Sequence, residues 1–524
     1  MAAAALVITA LNEHAPYDVK AVLATQVVAG LVPLIAAALA GGSVMRPRAG
    51  LLATLLLIPV LDVAQLSWTI GPVQVIDQTL CVVALGAGLA LRDPLPRFDA
   101  SAENDSDPRP EPGMVGRRGF LSRARLRPSL EKVALAALVA MLLLATLSTA
   151  ISPDVELSAT VLLHGILEPV FLAATFLLLR PNRRYLLLVM VALGVSVALG
   201  GLLNMVQSIP SMKTLGGLQA DRLLFSRTTY FNVGLFGEVL AMTMPLLLAL
   251  LLGHRNGYFR LPRVVMIVLV ASIPVDLASL FLTFSKSGYL ATFGGCLVLL
   301  LFYARTWRRR ASIAAAVVVL SAVVVPWPAL FLQVAPPLSQ AYRRAVVPLI
   351  GQSRFDSWNP ATPSGEGSLV ERFYATRAGL EMAVDHPLLG ISLDQFAAQY
   401  ADHYRPAAAK SSLDWAHSML PEVAAELGFP ALVLDVLIYA AGLLAAWRVY
   451  RSPRDPLARL LACSLLAAMV AWQVVGLAFA GDMYRPWRNM ASDYVTMMVL
   501  VAVAFALYRM NRAGQRLEPA PAAV

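Results

Sequence analysis

Apolar runs of about 18–25 residues recur along most of the chain, and each is long enough to cross ~30 Å of hydrocarbon as a helix. Read in order, they predict spans near 19–42, 50–68, 73–91, 132–151, 158–180, 184–206, 230–252, 263–283, 285–304, 311–331, 418–447, 457–480 and 490–508. Asp62, Pro72 and Asp77 interrupt the pair 50–68 and 73–91. A helix satisfies its own backbone groups in lipid, so the pattern predicts an all-α polytopic membrane protein. About 12–14 transmembrane helices are expected, with a large, partly helical external loop.

Composition agrees with this reading. Of 524 residues, 58% are hydrophobic and 14% charged, and the mean hydropathy is +0.68. Lys and Arg collect in cytoplasmic loops, and about 28 of the 42 basic residues fall on one side of the predicted bundle. They lie in the loops at 46–48, 180–184, 254–263, 305–310 and 448–459, in the insert at 92–132 and in the tail. That side is therefore expected to be cytoplasmic, with the N-terminus and residues 332–417 external. The net charge of +10 follows from this asymmetry and the anionic inner leaflet, and gives no reason to invoke nucleic acid. Cys81, Cys296 and Cys463 all sit inside predicted spans, with neither a disulfide framework nor metal-ligand spacing. The opening MAAAALVITALNEHAP lacks a basic n-region, so no removable signal peptide is expected.

The chain divides into N-terminal spans (1–91), an insert (92–131), a central bundle (132–331), an external loop (332–417), C-terminal spans (418–508) and a tail (509–524). Residues 93–118 are rich in Pro, acids and Arg and bury too little apolar surface to order themselves. The basic RRGFLSRARLR that follows reads as a positive flank or a short interfacial helix. The external loop looks partly ordered. ERFYATRAGLEMAVDH (371–386) places Phe373, Leu380 and Val384 at helical spacing, and Pro387 and Gly390 close it. LDQFAAQYADHY (393–404) reads as a second short helix. Together they predict a small helical cap over the outer face.

Polar groups at the rim of a membrane bundle are functional candidates by default. On the external side these are Arg227 before the seventh span, Lys286 in LTFSKSG, Arg372 and Arg377 on the loop helix, and His417 at the start of the eleventh span. Such a set of cations suits a diphosphate, because Arg presents a planar fork to phosphate oxygens and Lys adds a point charge. Asp414 is placed to cap the helix, with His417 three residues on in its first turn. The positive helix end and the neighbouring arginines then favour a neutral imidazole, which is what a general base requires. His164 and Glu168, four apart, are placed to pair within the fifth span, and Asp276 and Asp435 to make interhelical contacts. Gly-rich phosphate loops, HExxH and GxSxG are absent from the sequence.

The stretch ERFYATRAGLEMAVDHPLLGISLDQF (371–396) followed by AHSMLPEVAAELG (416–428) resembles the signature of the bacterial O-antigen ligase and O-antigen polymerase superfamily. Arg372, His386, Pro387, Gly390, Phe396, His417, Glu426 and Gly428 fall at its spacing. RTTYFNVGLFGEVLAMTMPLLL (227–248) and LTFSKSG are similar to upstream segments of the same superfamily, so that the likeness covers roughly residues 220–450. Lys286 stands where that superfamily usually has Arg, and Ser418 where it has Asn.

The resemblance implies a metal-independent, inverting glycosyltransferase of the membrane-embedded GT-C kind, without a cofactor. Its donor would be a glycan on undecaprenyl diphosphate at the outer face of the bacterial inner membrane, its acceptor a sugar hydroxyl. Arg372 would stabilise the departing diphosphate with Arg227, Lys286 and Arg377, and His417 would act as base, supported by Asp414 and Glu426. Ligase and polymerase, in lipopolysaccharide or exopolysaccharide synthesis, share this donor linkage. A transporter or flippase of lipid-linked saccharide, or a non-catalytic scaffold contacting other polysaccharide-assembly proteins, are the readings from other classes.

Overall fold

The computed structural model describes residues 38–64, 67–70, 73–90, 129–214, 233–283, 286–304, 363–409, 412–478 and 491–513, with a few positions between 306 and 315. The expected spans at 19–42 and 311–331 lie largely outside these residues, as do residues 91–128. The others appear as helices: α1 (Pro47–Ala64), α2 (Asp77–Ala90), α3 (Leu130–Ala150), α4 (Val155–Val161), α5 (Glu168–Leu178), α6 (Arg183–Thr214), α7 (Val233–Arg255), α8 (Arg263–Thr283) and α9 (Lys286–Tyr303). After the external segment come α12 (Met419–Arg451), α13 (Pro456–Ala478) and α14 (Ala491–Arg512). Among the described residues eight helices are long and apolar enough to cross a membrane, and three shorter apolar helices accompany them. The protein is thus a multi-spanning membrane protein, helical almost throughout its described residues.

The facing ends of the spans expected at 50–68 and 73–91 are not helical: the helices stop at Ala64 and start at Asp77, and Ser67–Ile70 (β1) and Val73–Ile76 (β2) pair antiparallel, Trp68 opposite Val75. Both segments are rich in β-branched and aromatic residues around a Gly-Pro turn signal, a combination that favours a hairpin over a continuous helix.

Packing is set by small residues. On α3 the inward face is Ala134, Ala137, Met141, Ala145 and Ser148, while Leu135, Val139, Leu143 and Leu147 face outward. Lipid tails are as apolar as leucine, so burying a leucine between helices gains little; close approach of small side chains gains dispersion contact instead. The segments Arg183–Leu202, Gly237–Arg255, Pro456–Gln473 and Tyr494–Arg512 form the centre of the bundle, whereas α3 and α8 lie at its margin.

The two ends of the bundle differ in charge. At one end Arg48 donates to the Leu179 and Arg180 carbonyls, Arg183 to the Tyr258 carbonyl, and Arg509 pairs with Glu131 at 2.8 Å. At the other end, Ser148 Oγ donates to the Leu389 carbonyl at 2.9 Å and Ser158 Oγ to the Leu393 carbonyl at 2.7 Å. These bonds fasten the external segment onto the α3–α4 corner.

Candidate functional site

The external segment begins with α10 (Pro363–Asp385), followed by α11 (Phe396–Gln399) and a π-helical turn at Tyr400–Tyr404. Both predicted loop helices are present, and α10 ends at Asp385, immediately before His386-Pro387. The face it buries is not the expected one. Phe373, Leu380 and Val384 are exposed, whereas Ala375, Ala378 and Met382 join Ile391, Phe396, Tyr400, Ala416 and Ala425 in a separate small core. Steric fit explains this: a Cβ on Gly379 would stand 3.0 Å from the Ala416 Cβ and 3.3 Å from that of Pro421, so only a face of small residues lets α10 lie this close.

Two glycines tie the cap to the bundle. Gly390 (φ 66°) and Gly428 (φ 82°) both adopt left-handed backbone conformations. A Cβ on Gly390 would fall 2.2 Å from the Glu426 carbonyl carbon, and one on Gly428 2.5 Å from the Leu388 oxygen. Main-chain bonds close the crossing: Ile391 N–H to the Ala425 carbonyl at 2.8 Å, Ser392 N–H to that of Glu426 at 3.1 Å, and Phe429 N–H to that of Pro387 at 2.9 Å. Gly428 also breaks α12 into a short outer piece and a long spanning one.

His417 sits on a peptide held from both sides. The preceding residue, Ala416, is fully buried; its N–H donates to the Glu422 carboxylate and its carbonyl accepts from Thr376 Oγ1 at 2.7 Å. Glu422 is itself buried in the first turn of α12. A hydrogen bond to a charged group contributes about 1.5–3 kcal/mol and a neutral one about 1 kcal/mol. Such bonds can hold a left-handed residue that costs on the order of 1–3 kcal/mol, and His417 is one, at φ 55°. The half-buried ring of Trp415 stands over the imidazole, 4.8 Å between centroids, and Trp415 Nε1–H donates to His417 Nδ1 at 2.9 Å.

The helix start differs from the sequence reading. α12 opens at Met419 with Ser418 at its N-cap position, so Asp414 is not the cap and His417 precedes the first turn. Pro421 and Glu422 in that turn are the start signals, and Asp414 lies too far upstream to reach it. Arg372 is half-buried on α10, four residues before Thr376. One helical turn, about 6 Å, therefore separates it from the residue that grips Ala416, on the same face. Arg377 instead is 66% exposed and pairs with Glu381 at 2.8 Å. Lys286 is the first residue of α9, at the outer end of the α8–α9 turn. Glu426 is buried at the glycine crossing. Arg227 lies outside the described residues. Glu422, Thr376 and Trp415 were not singled out from the sequence, although the Pro-Glu pair at 421–422 carried a signal for the first of them.

Within the bundle, His164 and Glu168 do pair, Nδ1 to Oε1 at 2.9 Å, both buried. Thr79 Oγ1 joins them, donating to Glu168 Oε1 at 2.5 Å. His164 lies within a π-helical segment at Leu162–Leu167, and Glu168 follows it directly. Asp276 is buried with no hydrogen-bond partner among the described residues, and Asp435 is buried in α12.

The fold and the outer site together define a polytopic helical membrane protein with a capped, histidine-bearing rim. A family model described as O-Antigen ligase matches residues 272–435, the stretch that runs from within α8 through the glycine crossing into α12, and over that part of its length the chain is similar to this family. No curated protein matches the chain.

Proposed function

We propose that the protein is a glycosyltransferase of surface-polysaccharide assembly, transferring a glycan from undecaprenyl diphosphate to a sugar hydroxyl at the periplasmic face of the inner membrane. The observation that carries this reading is the coincidence of the family match with the residues that clamp His417. The positive-inside rule supports the orientation, since the arginine-rich end of the bundle is the one away from His417.

In this reading Arg372, with Arg227 and Lys286, holds the diphosphate and stabilises the charge that grows as the anomeric C–O bond breaks. Arg377 lies at the edge of this set and contributes field more than contact. The acceptor hydroxyl attacks the anomeric carbon from the opposite side, inverting it, and its proton passes to His417. The mechanism assigns no role to a metal or cofactor. Trp can only donate, so Nδ1 of His417 is an acceptor in the arrangement observed. The acceptor hydroxyl therefore has to take the place of the indole at Nδ1 as it binds. Glu422, Thr376 and Glu426 position the peptide; Asp414 sits in the polar turn that leads to it.

The Trp415 bond also favours a second reading, in which the neutral ring keeps its proton on Nε2 and donates it as a hydrogen bond to the diphosphate. Purified protein given a synthetic lipid-diphosphate glycan and an acceptor should release lipid diphosphate, and His417→Ala should abolish this. Undiminished release by that variant would sink both roles. If His417→Gln, which keeps an N–H donor, restores turnover, the second role is selected over the first. The lipid-linked product that accumulates in a deletion strain separates ligase (long polymer) from polymerase (single repeats).

A further inference from the structure

A cavity of about 720 Å³ opens between the start of α1, the end of α5 and the start of α6. Four arginines, Arg46, Arg48, Arg180 and Arg184, line it, and no carboxylate is among its described lining residues. Its remaining wall is mostly apolar, including Leu52 and Leu188, with Leu178 half-exposed beside them and Asn182 as a polar exception. Arg48 is fixed in place: its guanidinium donates to two carbonyls at the end of α5 and lies 5.4 Å from the centre of the Tyr185 ring. Tyr185 is buried against the cavity, and its hydroxyl has no hydrogen-bond partner among the described residues. The apolar stretch Val155–Leu178, 24 residues long and so roughly 35 Å, separates this cavity from the corner that carries the His417 cap. It therefore belongs to the opposite membrane surface and to a different ligand.

We propose that this cavity binds an anionic phospholipid, its phosphate held by Arg46, Arg180 and Arg184 with Arg48 fixed behind them, and its first acyl carbons against the leucines. Several like charges gathered on one wall repel one another, so a bound anion relieves them. Ligand pockets commonly span about 300–1,000 Å³; this one is far larger than a free phosphate ion needs. The juxtaposition of guanidinium forks with exposed leucine at the end of a spanning helix matches a diester phosphate joined to a hydrocarbon chain. Basic pockets between spanning helices take anionic headgroups in this way.

The test is thermal unfolding of the full-length detergent-solubilised protein with added phosphatidylglycerol, phosphatidylcholine or inorganic phosphate, alongside native mass spectrometry of the lipids it retains. Phosphatidylglycerol should raise the midpoint and phosphatidylcholine and inorganic phosphate should not. Arg46→Gln and Arg184→Gln, both at exposed side chains, should each weaken apparent phosphatidylglycerol affinity about fivefold, while Arg184→Lys should keep most of it. An equal shift from inorganic phosphate would make this a free-anion site and overturn the lipid assignment. An unchanged response in both Gln variants would overturn the site itself. Neither outcome bears on turnover at His417.

Discussion

Trp415 donates its indole N–H to Nδ1 of His417 across 2.9 Å, so this imidazole is aligned by the residue two before it. Trp415→Phe keeps the ring and deletes the donor. A neutral hydrogen bond contributes about 1 kcal/mol, so stability should change little. If His417 donates from Nε2 to the diphosphate, turnover of the lipid-diphosphate donor should fall about tenfold with KM for the donor unchanged; if the acceptor hydroxyl displaces the indole at Nδ1, kcat should not fall. Steady-state kinetics on purified protein reads both numbers, and an unaltered kcat would overturn the Nε2-donor role.

The grip on Ala416 gives a second outcome. Glu422→Gln replaces a charge-assisted bond by a neutral one and should destabilise the folded protein by about 1–2 kcal/mol. Thr376→Val should cost about 1 kcal/mol. Both should lower kcat further than this loss explains, because the left-handed His417 peptide loses its anchor. Melting curves beside kinetics separate the two effects.

Arginines one and a half turns apart on α10 should behave differently. Arg372→Gln is expected to reduce turnover at least about a hundredfold, the scale of losing a donor to a developing charge. Arg377→Gln breaks an exposed pair with Glu381 of the kind that contributes about 0.3–0.5 kcal/mol, and should leave turnover within about threefold. Equal losses from both would show that α10 presents its other face to the substrate.

At the glycine crossing there is no space for even one methyl group. Gly390→Ala and Gly428→Ala each combine a left-handed backbone with contacts near 2.2–2.5 Å to main-chain atoms. Each should destabilise by more than about 2 kcal/mol and abolish recovery of folded protein. Size-exclusion chromatography after detergent extraction checks this directly.

A pH effect follows from Tyr404. Burial, and then its bond to Asp385 at 2.7 Å, raise its pKa to about 12. The folded protein favours the neutral phenol, so this contribution is complete below the ordinary value of about 10 and disappears as pH rises through 12. Tyr404→Phe should lose it at neutral pH and show a flatter alkaline stability profile in thermal melts.

What could be read from sequence follows a physical order. Length of apolar run is a strong signal, since one dimension of the bilayer fixes it, and α3 and α6–α9 lie where hydropathy placed them. The orientation of α10 was misread because Phe373, Leu380 and Val384 look like a core stripe, while the packing there is steric and selects Ala375, Ala378 and Gly379. The start of α12 was misread because Asp414 has the right chemistry for a cap at the wrong distance. The glycines at 390 and 428 stood out in the sequence, but Gly390 meets Glu426 and Gly428 meets Leu388 across a long stretch of chain, and no local pattern reveals it. Trp415 and Glu422 act through loop geometry around a left-handed histidine, which has no periodic trace at all.

The main-chain bonds between 387–392 and 425–429 draw the intervening segment into a drawstring pouch whose neck is sewn to the membrane bundle. Exposed residues within the pouch can change character while its seam and the buried Phe396 and Tyr400 stay put. Change there is thereby uncoupled from the survival of the scaffold, so natural variation should gather at exposed positions such as Ala401, Asp402, His403 and Arg405 and spare the stitching on either side.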